Sequence, residues 1–115
     1  METTINTPLA CNLAAFNAKQ SKRHQILAQR LFESVKDIQE LPNGFAFRLP
    51  MESSLCIGVA EFITLERLCC PFLNFVLEVE PEEGPLWLKL TGPDGVKQFL
   101  QAEFDRGGHE IKLAG

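Results

Sequence analysis

Two turn clusters, each set between a pair of short alternating runs, constrain this chain more than any other feature. Leu41-Pro42-Asn43-Gly44-Phe45 leads into Phe45-Ala46-Phe47-Arg48-Leu49, and an Asn-Gly pair is a favoured hairpin turn because both residues tolerate positive φ. Pro81-Glu82-Glu83-Gly84-Pro85 separates Leu73, Phe75, Leu77 and Val79, which fall on one side of a strand, from Leu86, Leu88 and Leu90. That is the period of half-buried strands. Around the hairpins the period becomes helical. Asn17 and Gln20 stand as a reciprocal cap ahead of Ile26, Leu27, Leu31 and Val35, which predicts a helix over roughly 18–34. Ser53 or Ser54 opens a central helix carrying Leu55, Val59, Phe62, Ile63 and Leu65, halted by Pro71. Gly92-Pro93-Asp94 starts a last helix with Val96, Phe99 and Leu100, ending around Phe104 ahead of Gly107-Gly108. The order α-β-β-α-β-β-α predicts an α+β fold: a mainly antiparallel four-stranded sheet, strand order open, with about three helices packed on one face.

At 115 residues the chain is expected to form a single domain, 1–115, with an irregular lead-in over 1–15 and a flexible tail over 105–115. Fifteen acidic against eleven basic side chains give a net charge of −4, which disfavours a nucleic-acid partner, since phosphate binding draws on a basic surplus. No stretch approaches the ~18–20 apolar residues of a membrane span. Met1-Glu2-Thr3-Thr4 has neither a basic nor an apolar leader, so a cytoplasmic location is expected. There, four cysteines are read as thiols, ligands or buried apolar groups rather than cross-links.

Chemistry concentrates in Glu66-Arg67-Leu68-Cys69-Cys70-Pro71-Phe72, two adjacent thiols in the last turn of the central helix. Thiolates are soft ligands for zinc, copper(I) and other thiophilic ions, and a third thiol completes a low-coordinate site. Cys11, in the lead-in, is the best candidate. Cys56 stands thirteen residues before Cys69, roughly 20 Å along a helix at ~1.5 Å per residue, and reads as core filler. A helix C-terminus disfavours thiolate, which Arg67 offsets, while Glu66 precedes the thiols on the same helix. Adjacent helical cysteines point about 100° apart, so one faces the core and the other serves as ligand. Both packing as small hydrophobes is the alternative. The only sensible redox couple is Cys11 with Cys69 or Cys70, because a vicinal disulfide is strained. His24 lies in a basic run with Lys19, Lys22 and Arg23, expected to be a solvated helix face. His109 sits in the Gly-rich tail.

The common zinc, phosphate-binding, nucleotide-binding and hydrolase motifs are absent, so no catalytic role is assigned and enzyme activity is not expected. At Glu66–Phe72 and Gly84–Gly95, however, the chain resembles a family of small bacterial proteins marked by Glu-Arg-x-Cys-Cys-Pro-Phe. A Gly-Pro-x-Trp-Leu-x-Leu-Thr-Gly-Pro-x-Gly stretch follows in that family. The similarity runs from about Leu9 to Phe104. Such sequences occur near or fused to mercury-type resistance and regulatory functions, which implies a heavy-metal setting and a resistance or regulatory partner. The expectation is a soft-metal-binding accessory protein in which Cys11, Cys69 and Cys70 hold a thiophilic ion, mercury or zinc, supported by Glu66 and Arg67. The alternative is a metal-free interaction or homodimerisation module. Its cysteines are packed, and its binding surface is the sheet face around Trp87, which projects opposite to Leu86 and Leu88.

Overall fold

The computed structural model describes residues 9–106. A 3-10 turn, Leu13–Ala15, precedes α1 (Ala18–Glu33), β1 (Asp37–Leu41), β2 (Gly44–Leu49), α2 (Ser53–Cys69), β3 (Asn74–Val79), β4 (Leu86–Thr91) and α3 (Val96–Arg106). This is the expected α+β order. The four strands pair antiparallel in the order β1-β2-β4-β3, so the two hairpins join through β2 and β4. These middle strands carry the buried inner face, Phe45, Phe47, Leu49, Leu86, Leu88 and Leu90. Leu27 and Leu31 of α1, Val59 and Phe62 of α2, and Val96 and Phe104 of α3 pack against it in one apolar cluster. Val79, at the end of β3, is exposed.

Local chemistry explains where the elements begin. At α1 the Gln20 N–H donates to Asn17 Oδ1 at 2.8 Å while the Asn17 N–H donates to Gln20 Oε1 at 3.0 Å, satisfying two donors that a helix start leaves open. The start of α2 falls at Ser53, as expected, but without a side-chain cap. Glu52 is the N-cap and makes no side-chain cap, and Ser53 and Ser54 are already helical. Instead of capping, Ser54 Oγ accepts from Arg30 Nη2 at 2.7 Å. α3 runs two residues past Phe104, into the segment expected as tail; residues 1–8 and 107–115, His109 among them, lie outside the described residues.

The first hairpin also departs from its expected turn. Leu41 pairs with Gly44, so Pro42 and Asn43 form the turn, and neither Asn43 nor Gly44 has positive φ. Gly44 is needed for a different reason: a Cβ there would run into the Leu90 carbonyl oxygen and lie 2.8 Å from Thr91 Cα. The outer sheet face is charged as well as apolar. Trp87 stands between its register partners Arg48 and Glu78, and Lys89 pairs with Glu78 at 3.2 Å. Among the described residues no helix is long and apolar enough to cross a membrane.

Candidate metal centre

Pro71 shapes the site. The residue before a proline is pushed out of helical geometry, and Cys70 sits at φ −127°, ψ 68° while its N–H still donates to Glu66 O at 2.8 Å. Cys69 closes the helix and Cys70 leaves it. The two sulfurs therefore do not diverge as neighbours on a helix would: Cys69 Sγ and Cys70 Sγ are 3.6 Å apart, and both residues are fully buried. The expectation that the two side chains point about 100° apart is corrected by this exit from the helix.

The lead-in is laid across the same helix end. The Asn12 N–H donates to Cys69 O at 2.8 Å, occupying one of the carbonyls a helix C-terminus leaves open. This contact brings Cys11 onto Cys70. They form a disulfide with Cα atoms 5.0 Å apart, inside the usual range. Of the two redox couples the sequence allowed, Cys11–Cys70 is the one formed, and the expectation of thiols throughout gives way to one cross-link. Cys56 and Cys69 are free; Cys56 packs partly buried against the core and is not among the clustered ligand atoms.

Glu66 completes the cluster. Its Oε1 accepts from Cys69 Sγ at 3.4 Å, and one ligand atom each from Cys11, Glu66, Cys69 and Cys70 lies within 4.8 Å of the other three. With the Cys11–Cys70 bond reduced, this set could hold a metal ion. Zn–S bonds of about 2.3 Å and Zn–O bonds of about 2.1 Å imply tetrahedral edges of about 3.8 Å between sulfurs and about 3.6 Å from sulfur to oxygen. The observed 3.6 Å and 3.4 Å edges are already close to these. Burial first, and then the charge of Glu66 and its hydrogen bond, push the Cys69 thiol up to about 12. Cys69 is therefore a neutral thiol near pH 7, and an ion must displace its proton.

Arg67 does not take part. It is exposed, and among the described residues no hydrogen bond or ion pair joins it to the cysteines. The side chain that meets Glu66 is His24 instead, whose Nε2 lies 2.7 Å from the same Glu66 Oε1. Its ring stacks on Phe62 with centroids 5.4 Å apart and meets Phe16 at 5.0 Å. The expectation of a solvated face fails at this residue, since only 17% of the His24 side chain is exposed. A signal for this was present: His24 stands three residues before Leu27 and seven before Leu31, the two buried residues of α1, so all three share one face. The neighbouring Arg23 is used within the chain too, gripping both oxygens of Glu61 at 2.7 and 2.8 Å.

No family model, curated protein or solved structure matches the chain. The class is therefore defined by fold and site alone: an α+β domain with a three-cysteine, one-carboxylate cluster in which Cys69 and Cys70 are buried and Cys11 and Glu66 partly so.

Proposed function

We propose that this protein binds a thiophilic metal ion, zinc or mercury(II), through Cys11, Cys69 and Cys70, with Glu66 as the fourth ligand. The observation that carries this is the convergence of three sulfurs and one carboxylate oxygen within 4.8 Å. Three soft donors select a soft ion over magnesium or calcium. His24, behind the carboxylate, fixes Glu66 as outer-sphere partners fix metal ligands. The disulfide and the ion compete for Cys11 and Cys70, so the reduced protein is the binding form. The mercury-resistance setting implied by the Glu66–Phe72 signature belongs to the same proposal and agrees with the donor set.

The test is titration of mercury(II) and of zinc into reduced protein carrying Cys56→Ser, which removes the one cysteine outside the cluster. One ion per chain is expected, with affinity falling at least tenfold on Cys11→Ser or Cys69→Ser. Unchanged affinity in both variants rejects the site.

A further inference from the structure

A cavity of about 470 Å³ adjoins the sulfur cluster, bounded by α1, α2, α3 and β4. Its size falls among small-molecule sites, about 300–1,000 Å³. Phe32, Phe62, Phe99 and Phe104 line it, and Cys11, His24 and Glu66 reach it as well. Cys69 and Cys70 do not line it and are fully buried. Of the clustered cysteines, Cys11 alone meets this space.

A bare ion needs no such chamber. Its coordination shell extends about 2.3 Å, and the four ligand atoms already lie within 4.8 Å of one another. The adjoining aromatic walls favour a ligand with apolar surface, because each part of that surface removed from water adds to binding. A thiol at the edge of an apolar cavity suits a molecule whose soft electrophilic end meets sulfur while its body rests among rings.

We infer that the cargo of this site is a thiophilic metal carrying one organic substituent, bound through Cys11 with its aryl or alkyl group in the phenylalanine-lined cavity. This rests on the metal-binding function proposed above and names its substrate class. The step is a ligand exchange without oxidation or reduction: the Cys11 S–H bond and the bond from the metal to its previous ligand, a glutathione thiolate in the assay below, break, the Cys11 sulfur–metal bond forms, and the departing thiolate takes up the proton. An ion with one substituent needs only one thiolate, so Cys69 and Cys70 matter less to it than to the inorganic ion.

The experiment uses the reduced full chain with Cys56→Ser, competed against glutathione, with mercury(II), methylmercury and phenylmercury as probes. Phenylmercury is expected to bind at least tenfold more tightly than methylmercury relative to glutathione, because glutathione buries neither substituent. Ala28 also lines the cavity, and Ala28→Phe is expected to cut that preference to threefold or less while leaving mercury(II) affinity unchanged. Cys69→Ser should weaken mercury(II) at least tenfold and phenylmercury less than threefold. Equal relative affinity for phenyl- and methylmercury in the protein with Ala28 intact overturns the inference, whatever Ala28→Phe does to folding. If mercury(II) still binds in that case, the metal-binding function stands without it; if no probe binds, both fall.

Discussion

Breaking the Cys11–Cys70 bond separates two properties that share the same sulfurs. The bond spans 59 residues, and closing a loop of that length removes roughly 14 cal/mol/K from the unfolded chain, or about 4 kcal/mol at 25 °C. Cys11→Ser should therefore cost about 4 kcal/mol against the oxidised protein but less than about 1 kcal/mol against the reduced one, since the two then differ by a single atom on a partly buried side chain. Urea unfolding of the oxidised protein, the reduced protein and Cys11→Ser at one pH measures these differences. Zinc supplies the second half of the experiment. At a hundredfold excess over its dissociation constant it should restore about 2.7 kcal/mol to the reduced protein, and much less to the oxidised protein or the variant. Coincident midpoints for oxidised and reduced protein would refute the cross-link; equal stabilisation of both by zinc would refute the competition for sulfur.

Three further outcomes follow from the same geometry. In the metal-free protein with Cys11 and Cys70 joined, the Cys69 thiol is raised from 9.0 to about 12, so its contribution to stability is intact below about pH 9. It declines as pH rises toward about 12, because the unfolded chain loses that proton first; urea midpoints above pH 9 should fall more steeply than in Cys69→Ser, and parallel profiles would contradict this. Glu66→Gln removes the charge that helps raise Cys69, so the thiolate absorbance should titrate at lower pH and zinc affinity should drop; an unmoved midpoint would place Glu66 outside the site. Gly44→Ala should lose about 1–3 kcal/mol in urea unfolding, as overpacking does, because β2 and β4 must separate to admit the methyl group, while metal affinity stays the same.

Features encoded over a few residues were legible from the sequence, and features made by long-range packing were not. The capping box at Asn17 and Gln20, the paired thiols at the end of α2 and the exclusion of Cys56 all rest on spacing within one element. Strand order was not legible, because pairing β2 with β4 joins residues about forty positions apart and many such pairings satisfy the same alternation. The partner of His24 lies across 42 residues at Glu66 and was not legible, although its spacing to Leu27 and Leu31 already marked the face it takes. Pro71 held more than was read from it. Beyond halting the helix, it moves Cys70 out of helical geometry, and this brings the two adjacent sulfurs together. Arg67 illustrates the converse, since a charge placed near the thiols by sequence lies on the exposed side of the helix.

X-ray absorption at the zinc edge of the reduced, zinc-loaded protein reports the donor atoms themselves. Three sulfurs at about 2.3 Å and one oxygen at about 2.0–2.2 Å are expected, with one sulfur fewer in Cys11→Ser. A shell of nitrogen and oxygen alone, or one that Cys11→Ser leaves unchanged, would contradict metal binding at the junction of the leading arm and α2.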